Sequence, residues 1–187
     1  MEKVALSGVV IPILTPIGPD GDLDMDSLER MVEFQVNAGV DGIFVMGTMG
    51  ESNLLTNGQK LDVLRTVSRL LNGRLPLYAG VSDTSLSRVA ENIAAAIPYQ
   101  VDAYVCTLPF FTPVAEREQF HFYSELGSMV DRPLVAYNIP SLVGCSISTD
   151  VVRRLVERGV LAGIKESTDD LDRYGSLAML VREEPGF

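Results

Sequence analysis

Side chains that commonly bind metals are scarce in this sequence. It has one histidine, His121, and two cysteines, Cys106 and Cys145, which form no CxxC pair. Structural zinc sites take four Cys or His ligands, so the sequence predicts no zinc site. Cys106 lies within an apolar run, where a small buried thiol is the usual role of a free cysteine. We therefore expect neither a bound metal nor a cofactor.

Basic residues are also few. The 15 Lys and Arg residues stand against 25 Asp and Glu residues, which gives a formal net charge of -10. A chain this acidic repels nucleic-acid phosphates and anionic lipids. No apolar run reaches 18 residues, and residues 1–7 include no hydrophobic signal segment. We therefore expect a soluble, cytoplasmic protein without nucleic-acid or membrane partners.

Short apolar runs alternate with amphipathic segments along the whole chain. The runs have the length and composition of buried strands, and the segments between them follow the helical period. Strict alternation of this kind implies right-handed crossovers and a parallel sheet. The predicted strands are 9–16, 42–47, 75–81, 101–108, 133–140 and 160–165. The predicted helices begin near Asp26, Thr56, Glu116, Ser148 or Thr149, and Asp169, and segment 82–85 leads into a further helix. Segment 141–144 is predicted to be a loop.

Two architectures fit this alternation, a (β/α) barrel and a doubly wound open sheet. The open sheet usually carries a GxGxxG phosphate loop in its first βα turn. The first turn here, residues 15–21, is long and lacks that pattern, which favours the barrel. A complete barrel needs eight strands and typically about 250 residues. We therefore expect residues 1–187 to form a single domain with about the first six βα units of a (β/α)8 TIM barrel, without the last two units or any C-terminal helices.

A lysine closes the sixth predicted strand. Residues 160–164 are apolar without alternation, which predicts a strand buried on both faces. An ammonium group at the end of such a strand is costly to bury, so it tends to lose its proton. A neutral amine is a nucleophile toward carbonyl carbon. The alternative for this stretch alone is that Lys165 has left the strand and points into water.

Other polar groups are expected at the same end of the sheet as Lys165. In parallel βα folds the chemistry lies where strands pass into loops. An amine beside a phenol suits imine chemistry, with backbone N–H groups holding a carboxylate. Each group also has a purely structural alternative, as a core phenol, a tight turn, a loop-bracing carboxylate or a packing aromatic. The groups concerned are Tyr137, the loop 47–52 with Glu51, and Phe110 and Phe111 in segment 109–113.

Motifs at these strand ends carry a resemblance to a known family. In chain order they are GTMGES (47–52), LPFFTP (108–113), YNIP continuing to PSLVG (137–144) and GIKEST (163–168). Together they resemble the dihydrodipicolinate synthase / N-acetylneuraminate lyase family over essentially the whole chain. That family consists of (β/α)8 barrels that act as class I, Schiff-base aldolases on pyruvate or other 2-oxo acids.

The resemblance implies a role for each matching residue. Lys165 would form the imine, and Tyr137 would be the general acid and base. The loop from Gly47 to Gly50 would hold the carboxylate of the 2-oxo acid through Thr48 and the N–H of Met49. Thr48 is also expected to be a catalytic residue. The resemblance further implies a homo-oligomer, a tetramer built from tight dimers.

Three positions depart from the family pattern. Met49 replaces the second of two adjacent hydroxyl residues, and Phe111 replaces the proton-relay tyrosine of true dihydrodipicolinate synthases. Leu142 replaces their arginine, which binds the carboxylate of aspartate semialdehyde. A missing bidentate partner for a buried carboxylate costs about 2–5 kcal/mol. We therefore predict a lyase or aldolase for pyruvate or a 2-oxo (sugar) acid.

Three alternatives stay open from the sequence. The first is 4-hydroxy-tetrahydrodipicolinate synthase activity, the condensation of pyruvate with aspartate semialdehyde. The second is a truncated, non-catalytic member of the family. The third is an open-sheet binding protein of another class, in which Lys165 and Tyr137 would lie far apart.

Overall fold

The computed structural model describes residues 6–184 and 187, and six strands alternate with helices in this part of the chain. The strands are β1 Val10–Pro12, β2 Gly42–Val45, β3 Leu77–Gly80, β4 Ala103–Thr107, β5 Leu134–Asn138 and β6 Gly163–Glu166. The helices are α1 Met25–Asn37, α2 Asn57–Leu71, α3 Leu86–Ala96, α4 Glu116–Met129, α5 Pro140–Val143, α6 Thr149–Glu157 and α7 Leu171–Glu183. The predicted order of six βα units is therefore confirmed.

The chain divides into two compact units. The first comprises Met1–Val81 and Ile93–Tyr104, and the second comprises Ser82–Asn92 and Val105–Phe187. The boundaries between them fall in the segment between β3 and α3, within α3 and within β4. The single domain expected over residues 1–187 stays a prediction.

The first unit contains a parallel sheet in which β2 lies between β1 and β3. Val10 pairs with Gly42, and Ile43 pairs with Leu77. Helices α1 and α2 pack against each other, and α2 also contacts β3. Its core consists of apolar side chains from α1, β2, α2 and β3 and from the residue after β1, among them Ile13, Leu28, Val32, Ile43, Val63, Val67 and Leu77.

In the second unit β5 and β6 form a parallel pair, with Val135 opposite Gly163 and Tyr137 opposite Lys165. Helix α6 packs against both α4 and α7. Every residue of β5 is buried, which explains why its sequence shows no apolar–polar alternation. The side chains of Leu126, Leu134, Ala136, Val151 and Leu155 belong to the core of this unit.

The sixth strand differs from its prediction. It runs from Gly163 to Glu166 instead of 160–165, and all four of its residues are half-buried. The expected strand buried on both faces is therefore wrong. Among the described residues of its unit, β6 pairs with β5 alone, so its other backbone edge has no neighbouring strand among them. Apolar character alone does not distinguish a strand paired on one side from a strand enclosed on both.

Two helix starts also differ by one or two residues from the sequence prediction. Asp24, not Asp26, caps α1, because its carboxylate accepts a bond of 3.0 Å from the N–H of Ser27. Asp170, not Asp169, caps α7 in the same way, by accepting from the N–H of Arg173 at 3.0 Å. Each stretch offers several closely spaced acidic residues, and an N-cap side chain binds an N–H only two or three residues further along the chain.

The prediction of a loop over the whole of segment 141–144 is wrong. Residues 140–143 form the single helical turn α5, with Pro140 in its first position. Proline suits that position because its fixed φ is helical and its missing N–H would be unpaired there. Gly144 ends the turn with φ of 82°, a conformation that glycine adopts without strain.

The predicted cap at Thr56 is confirmed, and it gives a test of local stability. Thr56 and Gln59 form a reciprocal capping box at the start of α2, in which Thr56 Oγ1 accepts from the N–H of Gln59 at 3.2 Å. We expect Thr56→Ala to lower the free energy of unfolding by about 1 kcal/mol, measured by urea denaturation. Ser148 occupies the N-cap of α6 without a side-chain capping bond, so Ser148→Ala is the matched control. An equal loss in both variants would contradict the role of the Thr56 cap.

Candidate active site

Lys165 and Tyr137 face each other on neighbouring strands. They are register partners in the parallel pair β5–β6, so their side chains leave the sheet on the same face. The Nζ atom of Lys165 lies 3.8 Å from the centroid of the Tyr137 ring. Tyr137 is buried and Lys165 is half-buried. The structure therefore contradicts the open-sheet alternative, in which these two side chains lie far apart.

The amine of Lys165 has a second partner on its own strand end. Its Nζ donates a hydrogen bond of 3.0 Å to the hydroxyl of Ser167. The ring face of Tyr137 and the Ser167 hydroxyl thus hold the amine from two sides. A cation or amine over an aromatic face gains about 0.5–2 kcal/mol of attraction when it is charged. We also expect Lys165 Nζ to lie within hydrogen-bond reach of the Tyr137 hydroxyl, or one water away from it. This stays a prediction.

The opposite face of the same two strand ends carries a polar network. Asn138 and Glu166, which follow Tyr137 and Lys165, are also register partners. Asn138 Nδ2 donates to Glu166 Oε1 at 2.5 Å, and Arg173 Nε donates to Glu166 Oε2 at 2.7 Å. Arg173 Nη1 in turn donates to Thr149 Oγ1 at 3.2 Å. These contacts link β5 and β6 to the starts of α6 and α7.

The network is shielded from water. The Glu166 and Arg173 side chains are 4% and 10% exposed, although each residue as a whole, with its backbone, is half-buried. Asn138 is buried, and its Oδ1 accepts from the N–H of Ile147 at 2.8 Å. Because that oxygen is engaged, the amide presents its Nδ2 donor to Glu166.

Breaking the Glu166–Arg173 ion pair should cost much more stability than breaking an exposed pair. We expect Arg173→Met to lower the free energy of unfolding by about 3–5 kcal/mol, because it leaves the Glu166 carboxylate shielded and unpaired. Chemical denaturation monitored by circular dichroism measures this. Arg153→Met is the matched control, because Arg153 and Glu183 form a pair whose side chains are 42% and 51% exposed. Similar losses in the two variants would contradict the importance assigned to burial.

Two titratable groups, one on β4 and one on α4, are shielded from water. Cys106 and Tyr123 are both buried, and the Tyr123 hydroxyl donates to the carbonyl of Cys106 at 2.9 Å. Burial raises the pKa of the Cys106 thiol and the pKa of the Tyr123 phenol. Both groups therefore stay protonated at neutral pH. The predicted role of Cys106 as a buried thiol is confirmed.

The glycine-bearing loop lies in the first unit, directly after β2. Gly47 and Gly50 are buried, whereas Thr48 and Met49 are exposed. A Cβ on Gly47 would come within 2.6 Å of the Phe44 ring. The loop is tied to the segment after β1, because Thr15 Oγ1 donates to the carbonyl of Gly50 at 2.8 Å. Close packing accounts for both glycines, and the carboxylate-binding role of residues 47–50 stays a prediction.

Phe111 and Leu142, the two remaining candidate residues, are exposed. Phe111 is 96% exposed and has φ of 88°, which is strained for a residue with a side chain. Leu142 is 63% exposed and lies on α5. Both belong to the second unit, as Lys165 and Tyr137 do.

Sequence reasoning missed the network of Asn138, Glu166 and Arg173, and the Ser167 partner of Lys165. A signal for part of it was present. Once β5 and β6 are placed in register, the residues after Tyr137 and Lys165 must form a pair on the other face of the sheet. Arg173 has no comparable signal, because its contact depends on where α7 begins.

Parallel strands that each lead into a helix define a β/α protein, and the amine–phenol pair lies at the carboxyl ends of two of its strands. A model of the dihydrodipicolinate synthetase family matches residues 5–185. The chain therefore belongs to the dihydrodipicolinate synthetase family.

Individual relatives agree with this assignment. The chain is 32% identical over 178 residues to 4-hydroxy-tetrahydrodipicolinate synthase of Methylococcus capsulatus, a match that covers 95% of this chain and 61% of that protein. The solved structure of 4-hydroxy-tetrahydrodipicolinate synthase from Methylacidiphilum fumariolicum superimposes with a TM-score of 0.91 at 29% identity. That superposition covers 96% of this chain and 60% of the other. The fold prediction, six βα units of a (β/α)8 barrel, is therefore confirmed.

A third relative is named with a bound small molecule. It is the chloride-inhibited dihydrodipicolinate synthase of Acinetobacter baumannii complexed with pyruvate, with a TM-score of 0.90 and 29% identity. The match covers 97% of this chain and 61% of that one. The chain thus spans about 60% of the length of the relatives that it matches.

Among residues 6–184 and 187, none of the helices has the length and hydrophobicity that crossing a membrane requires. The same residues include no group of three or more His, Cys, Asp or Glu side chains placed to hold a metal ion.

Proposed function

We propose that this protein is a Schiff-base lyase or aldolase that acts on pyruvate or another 2-oxo acid, with the imine on Lys165. The observation that carries the proposal is the position of the Lys165 amine against the ring of Tyr137, on register-paired residues of β5 and β6. The reaction needs a nucleophilic amine and a proton-transfer group fixed beside it. Rigid neighbouring strands provide that fixed geometry.

The chemistry follows from these two groups. The unprotonated Lys165 amine attacks the C2 carbonyl carbon of the 2-oxo acid, and the oxygen leaves as water once it has gained two protons. We propose that the Tyr137 hydroxyl transfers protons to and from this oxygen. The resulting imine withdraws electrons from C3, so that a carbon–carbon or carbon–oxygen bond at the neighbouring carbons is made or broken more easily.

The substrate class is the second part of the proposal. The pyruvate complex of the Acinetobacter baumannii relative supports a 2-oxo acid. In the proposed reaction the loop from Gly47 to Gly50 binds the carboxylate through Thr48 and the Met49 N–H, as the family resemblance implies. The homo-oligomeric state and the cytoplasmic location predicted from the sequence are part of the same proposal.

A second candidate activity is the condensation of pyruvate with aspartate semialdehyde. The relative from Methylococcus capsulatus, named 4-hydroxy-tetrahydrodipicolinate synthase, supports it. Leu142 argues against it, because an exposed leucine offers no bidentate donor to the second substrate's carboxylate. Consumption of aspartate semialdehyde in the presence of pyruvate tests this candidate. If aspartate semialdehyde is consumed at a rate equal to or above the rate at which 2-oxo sugar acids are cleaved, the synthase activity is favoured.

Reductive trapping tests the proposed function itself. The full chain is incubated with pyruvate and sodium borohydride, and its intact mass is measured. We expect one pyruvate-derived adduct per chain, and none when borohydride is omitted. A folded sample that binds pyruvate without any reducible adduct would instead support the non-catalytic alternative.

A further inference from the structure

We propose that Glu166, held by Asn138 and Arg173, is a positioning residue for the Lys165 amine. This inference rests on the proposed function, and it assigns a role to a network on the face of the sheet opposite the amine. Lys165 and Glu166 share a peptide group, so a rotation of one residue at this strand end moves the other.

The first step in the argument is the alternation of side chains. Tyr137 and Lys165 occupy one face of the β5–β6 pair, and Asn138 and Glu166, one residue later, occupy the other. The contacts of Glu166 with Arg173 of α7, and of Arg173 with Thr149 of α6, show that helices cover this second face.

The second step is that the bonding pattern requires a carboxylate. Asn138 Nδ2 and Arg173 Nε donate to different oxygens of Glu166, at 2.5 Å and 2.7 Å. A glutamine at this position would present one acceptor and one NH₂ group, and the NH₂ group would oppose one of the two donors. Both bonds are charge-assisted and shielded, so they fix the side chain strongly.

The third step connects this network to the amine. The backbone carbonyl of Asn138 accepts from the N–H of Ser167 at 2.9 Å, and the Ser167 hydroxyl accepts from Lys165 Nζ. The hydroxyl of Tyr174 also donates to the backbone carbonyl of Glu166 at 2.9 Å. Both of these backbone bonds anchor the peptide group between Glu166 and Ser167, and the Ser167 side chain in turn accepts from the Lys165 amine.

The decisive variant removes both charges while it keeps the packing volume. In Glu166→Met/Arg173→Met no unpaired charge remains, so the chain should fold, as buried ion pairs replaced by apolar residues usually do. If the network is purely structural, the Lys165 amine should keep its position in this folded variant. If the network positions the amine, the amine should be displaced. Glu183→Gln, which breaks the exposed pair with Arg153, is the matched control.

Two measurements on the full chain report on the position and accessibility of the Lys165 amine. In pyruvate trapping with borohydride, we expect the double variant to lower the maximal rate by about 10- to 100-fold, since small displacements of a reacting group have effects of this size. The half-saturating pyruvate concentration should change little. In labelling by an amine-selective acylating reagent followed by peptide mass mapping, Lys165 should react several-fold faster than in the control, because its two contacts are lost.

The outcomes separate the two proposals. A folded double variant that traps pyruvate and labels at Lys165 as the Glu183→Gln control does would overturn the positioning role. A double variant that fails to fold would also overturn it, because the network would then be structural. If the unmodified chain traps no pyruvate but Lys165 labelling differs between the double variant and the control, the proposed function fails and the positioning role stands.

Discussion

Replacing Lys165 with alanine is expected to abolish both pyruvate trapping and turnover. The chain has three lysines, Lys3, Lys60 and Lys165, and in the proposed reaction only the last provides the nucleophile. No other group of the motif at 163–168 can form the imine bond. The fold should survive, because the substitution removes one half-buried side chain with a ring contact and one hydrogen bond. Intact-mass analysis after borohydride treatment, with circular dichroism of the same sample, measures both effects.

Lys60→Ala is the matched control for this experiment. Lys60 is also half-buried, but it lies on α2 in the first unit. The Lys60→Ala variant should trap pyruvate as the unmodified chain does. If Lys165→Ala kept the adduct and Lys60→Ala lost it, the proposed nucleophile would be the wrong residue.

Replacing Tyr137 with phenylalanine has the second large expected effect. The ring stays, so its contact with the Lys165 amine should persist, and only the hydroxyl is removed. Loss of a positioned general acid and base slows proton-transfer steps by about 10²- to 10⁴-fold. We expect that reduction in the rate of imine formation, measured by quenching with borohydride at successive times. The stability of the variant should change little.

Tyr99→Phe controls for the loss of a tyrosine hydroxyl as such. Tyr99 precedes the amino end of β4, whereas Tyr137 lies near the carboxyl end of β5. The rate of imine formation in Tyr99→Phe should equal that of the unmodified chain. An unchanged rate in Tyr137→Phe as well would remove the proton-transfer role from Tyr137.

The order of elements could be predicted because each signal for it is local. Apolar runs and helical periods repeat in alternation, and five of the six observed strands lie inside the predicted runs. The Thr56 cap was predictable because its Gln59 partner is three residues away. The start of α1 was missed because Asp22, Asp24 and Asp26 all offer a capping carboxylate. Only the backbone conformation selects Asp24.

The burial of β6 could not be read from its sequence. Half-burial of this strand depends on which strands lie beside it, and no residue in 160–166 encodes the number of its neighbours. Likewise, the single turn α5 uses the same proline and glycine signals that mark a loop. Its helical bonds appear only once the backbone path from β5 is fixed.

The candidate site was predictable to a similar degree. Lys165 and Tyr137 were identified because both end an apolar strand and because their motifs resemble those of one family. The structure adds that they are register partners in contact. Glu166 does not stand out in the sequence, because a glutamate beside a lysine has many ordinary surface roles. Its bond to Arg173 spans seven residues and a change from strand to helix.

The central claim is that the Lys165 amine and the Tyr137 phenol act on one carbonyl carbon. Its most direct test is a crystal structure of the chain after reduction with pyruvate and borohydride. The account predicts a covalent bond from Lys165 Nζ to C2 of the adduct. It also predicts that the Tyr137 hydroxyl lies within hydrogen-bond reach of that nitrogen or of the adduct, about 2.6–3.2 Å or one water away. An adduct on another residue, or a Tyr137 hydroxyl directed away from the bond, would contradict it.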